Sequence, residues 1–312
     1  MKTHRLAGTC YDYASSPYLT ALGTEFPDIT AGLYDGDFTK TLERAQRDKH
    51  EWVLAELGFR SGQRILDIGC GWGPMLNAIR DRGGHGVGFT LSDKQVEYCR
   101  KRGLEALFVD WKDANMSDYP AFDGIVSIGA LEHFCSPDEY FQGEQEEIYR
   151  QFFAFCHKCL RKGGRFYLQT MTWGHKVPDA SEIDPDAPED TRYHDRVRGT
   201  ILGMSSWWPP ASSQQLVDIA KPCFRILKQK DGRQDYGQTF FEWKRRWAGV
   251  SALKKALLLS FGLLTYLGDA DFRRSWSHVR AAVRHDYFRE AFLQNVLGHS
   301  RMLFQRVEIE TR

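Results

Sequence analysis

RILDIGCGWG, Arg64 to Gly73, is the stretch on which the fold turns. RILDIGC reads as a short apolar strand that runs into a glycine-rich turn. PMLNAIRDRG (74–83) then reads as a helix that stops at a glycine. Glycines at 69, 71 and 73 let the backbone turn tightly and approach a ligand without Cβ clashes. The helix start behind them offers unpaired N–H groups. The spacing is GxGxG with Asp67 just ahead of it, not the GxGxxG that cradles a dinucleotide pyrophosphate.

The same rhythm continues on both sides. A helix is expected from about Glu43 to Leu57. GHGVGFTL is a second strand, followed by the helix SDKQVEYCRKRG with Ser92 as its N-cap. LEALFVD and FDGIVSIGA are a third and fourth strand. EEIYRQFFAFCHKCLRKGG is a long helix with a glycine stop, and RFYLQTMT a fifth strand. Strands alternating with helices at this spacing predict a parallel sheet with helices on both faces. After the fifth strand the rhythm breaks. Residues 173–212 read as a lid insertion, because ILGMSSWW is too apolar to be solvated. SSQQLVDIAKPC resumes a helix. FRILKQKDG and RMLFQRVEIE are a sixth and seventh strand, separated by a helical insertion at about 236–300. One domain over 1–312 is expected, with 1–50 as an N-terminal lid, 51–172 as the ligand-binding core and 213–312 completing the core.

Composition bounds the function. The 312 residues are 42% hydrophobic and carry a net charge of +1, without the basic excess of a nucleic-acid partner. The N-terminus has no apolar signal core, so a cytoplasmic location is expected. ALLLSFGLLTYLG (256–268) is shorter than the ~20 apolar residues of a spanning helix. Peripheral membrane contact is left open but not predicted, and the oligomeric state is not specified. Seven cysteines without framework spacing suggest a reducing compartment. Cys156 and Cys159 form a CxxC without a second pair, so two positions on an ordinary helix is the better reading and no metal is expected.

LDIGCGWG, GFTLSDKQ and IVSIGALEHF, in this order and spacing, resemble the cyclopropane-fatty-acid synthase and mycolic-acid cyclopropane synthase family of class I S-adenosylmethionine (AdoMet) methyltransferases. The similarity continues through GGRFYLQTMT, WWPPASSQQL and DYGQTFFEW, covering most of residues 30–310. It implies a Rossmann-like α/β fold: a seven-stranded, mostly parallel sheet with helices on both faces and a helical lid. It implies AdoMet as the cofactor, with Asp67, Gly69, Gly71 and Gly73 in the turn. Gly69 and Gly71 would line the methionine part, Thr90, Leu91 and Gln95 contact the ribose, Trp111 flank the adenine, and Ile128 and Gly129 lie near the cofactor. Strand 2 lacks the usual acidic ribose ligand at its end, a departure this family shares. Glu132 would point into the reaction chamber and Tyr236 face it from the lid. Tyr34, Gln169, Trp207 and Trp208 fall in pocket segments.

This gives the Glu132–His133 pair a chemical reason. Methyl transfer to an alkene carbon leaves a carbocation, which a carboxylate in a dry pocket stabilises with little reorganisation. Aromatic faces add cation–π attraction. The competing reading makes Glu132 a cap for the following helix. His133 is either a catalytic partner or a structural histidine facing away. Relatives that make cyclopropanes hold bicarbonate as a base, caged by a cysteine, the glutamate, a histidine and a tyrosine. Here Gly32 falls at the cysteine position, Gln169 at the histidine position, and the lid tyrosine falls near Thr30. Bicarbonate is therefore not counted on unless another residue, His175 or Cys10, completes the cage. The expected activity is C-methylation of a small hydrophobic unsaturated substrate, a fatty acyl chain or an isoprenoid. The alternatives are N-methylation of a small amine, for which EHF also suits, or true cyclopropane formation.

Overall fold

The computed structural model describes residues 27–115, 121–178, 207–253, 255 and 286–308. Most of the expected lid insertion, Cys10 and the segment 256–268 lie outside these residues. The first helix, α1 (Leu42–Leu57), starts at Thr41, whose hydroxyl accepts from Arg44 N, and ends at Gly58 in the left-handed conformation. Its buried face, Leu42, Ala45, Gln46, Lys49, Val53, Leu54 and Leu57, follows the helical period. Two of those residues are polar, and they matter below.

Strand β1 (Arg64–Ile68) is buried along its length apart from Arg64, as a strand covered on both faces must be. It leads through the glycine turn into α2 (Pro74–Asp81), with Pro74 at the first helical position. Then follow β2 (His85–Thr90), α3 (Asp93–Arg100), β3 (Glu105–Phe108), β4 (Phe122–Ile128), a single 3-10 turn (Leu131–His133), α4 (Pro137–Phe141) and α5 (Gln145–Cys159). The chain continues with β5 (Leu160–Trp173), α6 (Ser213–Ala220), β6 (Phe224–Asp231), α7 (Arg233–Gly249), α8 (Tyr287–Leu293) and β7 (Leu297–Arg306). Ser92 caps α3 as expected, accepting from Gln95 N at 3.2 Å.

The seven strands form one sheet in the order β3-β2-β1-β4-β5-β7-β6. β1 to β5 pair in parallel, whereas β7 runs antiparallel to both β5 and β6. One face packs Phe152 and Phe153 of α5 against Phe166, Phe224 and Phe304 of the sheet. Cys156 and Cys159 are buried in that same cluster, as two positions on an ordinary helix. The other face packs Val53 and Leu57 of α1 against Ile65, Val126, Tyr167 and Leu303.

Three boundaries differ from the sequence expectation. Helix α5 stops at Cys159 instead of running to Gly164. Leu160 turns extended (φ −93°, ψ 138°), is fully buried, and pairs with Phe122. Burial and a ladder partner at Leu160 outweigh one more helical turn of exposed Arg-Lys. β7 begins at Leu297, four residues earlier than RMLF, because its first residues pair with the long end of β5, Trp173 opposite Leu297. The helical stretch between β6 and β7 begins at Arg233, just ahead of the expected 236.

The segment before α1 is tied to the far end of the chain. Arg301 on β7 has a fully buried side chain, and its Nη1 lies 2.6 Å from Asp235 Oδ2 on α7. Its Nη2 donates to Gly32 O at 2.8 Å, while Asp235 Oδ1 accepts from the backbone N–H groups of Tyr34 and Asp35. Removing one member of such a pair strands the other in the interior. Arg301→Met is expected to destabilise the protein by about 3–5 kcal/mol. Asp235→Asn combined with Arg301→Met should recover a large part of the loss, as read by urea denaturation. Equal loss in the single and double variants would show that the ion pair is not the cause.

Candidate active site

At the C-terminal ends of β1, β2 and β4 lies a cleft of about 1200 Å³, its open mouth included. That size suits a nucleoside-sized ligand. Nine of the ten residues expected to hold the cofactor line it: Asp67, Gly69, Gly71, Thr90, Leu91, Gln95, Trp111, Ile128 and Gly129. Gly73 does not. A Cβ there would lie 2.8 Å from both Cys99 Sγ and Leu104 Cδ1, so Gly73 is a packing glycine between α2 and α3.

The turn has the geometry its glycines allow. Gly69, Gly71 and Gly73 have φ of 85°, 54° and 79°, in the region that favours glycine. A side chain on Gly69 would collide with Ala130 just after β4, so the turn passes against the start of the ALEHF segment. A side chain on Gly71 would meet nothing within 4 Å, so this position presents open backbone beside the cleft. On the β2 side, Thr90 Oγ1 donates to Gln95 Oε1 at 2.5 Å. This neutral pair occupies the place where an acidic ribose ligand is usual, and leaves the Gln95 amide N–H groups as donors. Trp111 closes the other end, its ring packed on Phe134, Phe152 and Phe155 at 5.3–5.9 Å.

Glu132 sits one layer behind the cleft wall, its Oε1 3.8 Å from where a Gly129 Cβ would stand. It is 2% exposed. It accepts from Thr170 Oγ1 on β5 at 2.7 Å, and the backbone N–H groups of Glu132 and Met171 favour its charged form. Burial nonetheless pushes its carboxyl up to about 7. It lies within the 3-10 turn, and its side-chain partner is 38 residues away, so the helix-cap reading does not hold. His133 lines the cleft rather than facing away from it, with its ring edge-on to Trp207 at 5.4 Å. Burial pushes its imidazole down to about 4, so it is neutral at pH 7.

Three of the remaining residues, Trp207, Trp208 and Tyr236, gather in an aromatic cluster with Trp72, Met171, Trp173, Trp243 and Phe292. Trp208 stacks on Tyr140 at 4.4 Å. Tyr236 is stacked on Phe292 at 4.5 Å and Phe240 at 5.0 Å. Tyr34 is fully buried, and its hydroxyl has no hydrogen-bond partner among the described residues. Gln169 is not an open pocket group: its Oε1 accepts from Tyr167 OH at 2.9 Å and Arg301 Nε at 3.4 Å, and its Nε2 points to Ala31 O. A Cβ on Gly32 would stand 2.9 Å from Ala45 Cβ, so α1 fills the space a larger residue would use. His175 is exposed and held by Asn295 O at 2.7 Å. Among the described residues, Gly32 and Gln169 supply neither the cysteine nor the histidine of a bicarbonate cage, and His175 is not part of the cleft lining.

Sequence reasoning missed the polar groups at the turn end. Asp28, Thr30, Lys49 and His50 also line the cleft. Only the burial of Gln46 and Lys49 on an otherwise apolar helix face could have signalled them. Asp67 is 2% exposed beside them, and its carboxyl is pushed up to about 7 by burial and by the charge of Asp28.

The strand order, the antiparallel β7 inserted between β5 and β6, and the glycine turn after β1 define a class I methyltransferase fold. A family model described as mycolic acid cyclopropane synthetase matches residues 11–258, and the chain belongs to that family. Cyclopropane mycolic acid synthase 2 of Mycobacterium leprae (strain TN) is 38% identical over 152 residues, 46% of this chain and 46% of its own. The chain thus spans about half the length of the curated relatives it matches. The cyclopropane synthase MmaA2 from Mycobacterium tuberculosis superposes with a TM-score of 0.71 at 23% identity over 95% of both chains. Mycolic acid cyclopropane synthase CmaA1, complexed with SAH and CTAB, does so with a TM-score of 0.71 at 22% identity over 96% of both. Among the described residues, no helix is long and apolar enough to cross a membrane.

The raised carboxyl of Glu132 links site to stability. The folded state keeps this proton up to about pH 7, whereas the unfolded chain loses it near 4.5. Its stabilising contribution is complete below pH 4.5 and is lost as pH rises through 7. Glu132→Gln should therefore become progressively more stable than the parent between pH 4.5 and 7.5, by up to about 3 kcal/mol. Thermal unfolding across that range checks it; a pH-independent difference would mean the carboxyl is not held neutral.

Proposed function

We propose that the chain is an AdoMet-dependent C-methyltransferase that acts on an alkene carbon of a hydrophobic unsaturated substrate, a fatty acyl chain or an isoprenoid. The observation that carries this reading is the buried, Thr170-anchored Glu132 carboxylate one layer behind the cleft, next to an aromatic cluster. The residues present fit AdoMet: an open glycine cradle at Gly71, polar groups at Thr90 and Gln95, and an aromatic wall at Trp111. Bound there, AdoMet supplies an electrophilic methyl group.

The protein's own groups do the rest. Gly69 and Gly71 hold the amino-acid end against the turn. Trp111 and Phe134 flank the adenine and keep water from it. Glu132, its carboxyl raised to about 7, is partly ionised at neutral pH, and in that form stabilises the carbocation left on the alkene. The rings of Trp207 and Tyr236 present π faces that favour the same charge, each by roughly 0.5–2 kcal/mol. A long apolar substrate suits the cluster of Met171, Trp173, Trp207 and Phe292; CTAB in the CmaA1 complex is in keeping with this. His133, neutral and in the cleft wall, orients Trp207 and is not needed as a base.

Gly71→Val places a branched Cβ in the open cradle and should abolish AdoMet binding in a calorimetric titration. Unchanged affinity would mean that the turn does not hold the cofactor.

The carbocation must then lose a proton. Without a bicarbonate cage at Gly32 and Gln169, loss from a neighbouring carbon of the substrate to the ionised Glu132 carboxylate is favoured over ring closure. Glu132→Gln should lower turnover on the order of 10²-fold or more, with AdoMet still bound. With trideuteromethyl AdoMet, the parent's product should retain all three deuteriums. Two retained deuteriums with a cyclopropane NMR signature would show that a base has been rebuilt from other residues.

A further inference from the structure

The strap Pro27–Thr30 forms one wall of the cleft. It lies at the turn end: Thr30 Cγ2 comes within 2.9 Å of where a Gly129 Cβ would be, and the next residue, Ala130, packs over Gly69. The strap is not held by apolar packing alone. Asp28 Oδ2 accepts from Lys49 Nζ at 2.5 Å and is 2.8 Å from His50 Nε2. Asp28 Oδ1 accepts from Thr30 N and Thr30 Oγ1 at 3.0 and 2.7 Å. Lys49 Nζ also donates to Thr30 Oγ1 at 2.6 Å and Gln46 Oε1 at 2.7 Å, and Gln46 Nε2 donates to Thr30 O at 2.7 Å.

The side chains of Lys49 and Asp28 are only 1% and 6% exposed. All three Lys49 donors are used, so the pair is a fixed internal strut rather than an open binding group. Although burial opposes it, Lys49 and His50 hold the Asp28 carboxyl well below the usual range. The Asp28 half of the strut is therefore ionised at neutral pH, while burial pulls Lys49 below its usual value and Asp28 opposes that pull. Asp67, the carboxylate immediately ahead of the glycine turn, feels both members: Asp28 raises its affinity for a proton and Lys49 lowers it. Strap, strut and Asp67 together surround the end of the cleft opposite Trp111. A ligand's amino-acid end, with one ammonium and one carboxylate, is the chemistry such a charged and walled compartment suits.

We propose that the Asp28–Lys49 pair, through the strap it fixes, makes the cleft selective for nucleoside thioethers that carry an amino-acid end. This rests on the AdoMet reading and assigns what covers that end where Thr30 stands in place of a lid tyrosine. Asp28 and Lys49 act as positioning residues: the strap wall and Asp67 meet the ligand, and the pair sets where they stand.

The test compares two ligands by calorimetry. S-adenosylhomocysteine carries the amino-acid chain; 5′-methylthioadenosine has the same adenosine and sulfur with a methyl group in its place. The parent should prefer the former by about tenfold or more. Lys49→Met should weaken S-adenosylhomocysteine by about tenfold or more while methylthioadenosine stays within about twofold. Because that variant leaves Asp28 buried without its partner, Asp28→Asn combined with Lys49→Met is measured as well. It removes both charges and should show the same collapse of the preference with a folded chain. A preference that survives in the double variant, or an equal loss for both ligands, overturns the proposal. A parent that binds neither ligand would instead remove the AdoMet reading itself.

Discussion

The turn after β1 can pass the end of β4 only because residue 69 has no side chain. Ala130 occupies the volume a Cβ would need. That contact sets the LDIGCG turn directly against the start of the ALEHF segment. The same device recurs one layer out, where Gly129 admits the side chain of Thr30. Turn, β4 end and strap are thus stacked at distances that only glycine backbones permit. The cleft lies where these layers meet, and Glu132 lies just behind it. A methyl group at either glycine would separate the turn from the carboxylate or push the strap off the wall.

Around this stack the buried charges fall into two kinds. Asp235–Arg301 and Asp28–Lys49 are paired and hydrogen-bonded on nearly every face, and both tie the residues before α1 to the sheet or to α1. Asp67 and Glu132 form no ion pair among the described residues, and burial pushes both up to about 7. Paired charges of the first kind fix geometry more than they add net stability. Carboxyls of the second kind are poised: small changes in the local field switch them between neutral and ionised. The arrangement puts one rigid ion pair, Asp28–Lys49, in the cleft wall, with Asp67 in the lining and Glu132 just behind it.

Much of this was legible because it is local. The alternation of strands and helices, the GxGxG turn and the Ser92 cap are written in stretches of ten residues, and hydrophobic periodicity reads such stretches well. What escaped was long-range. Arg301 meets Gly32, 269 residues away, and Asp235 meets Tyr34, 201 residues away. Nothing local in GLYDGDF or SRMLF announces the partner each meets. Lys49 and Gln46 sit on the helical stripe that turned out to be buried, but nothing nearby in the chain announced Asp28 as their partner. Gln169 fell in a pocket segment by the family resemblance, yet its amide oxygen is taken up by Tyr167 and Arg301. Leu160 carried helix-forming neighbours on its N-terminal side and still turned into the sheet, because Phe122 offered a ladder partner and a buried place. Tertiary pairing decides such boundaries when local preference is nearly balanced.

The cost of Glu132 is itself informative about what it is for. A carboxyl buried to 2% exposure and raised to about 7 destabilises the folded chain at neutral pH relative to a neutral amide of the same shape. Thr170 and the backbone donors soften that cost without removing it. Folding does not require an acid here, since Gln could accept from the same hydroxyl. A structural carboxylate would be expected to gain a basic partner, as Asp28 and Asp235 have done in the same molecule. Glu132 has none among the described residues, although the chain delivers Lys49 and Arg301 to other buried acids. A buried carboxyl without a basic partner among the described residues is in keeping with the proposed reading, in which the positive charge develops on the substrate.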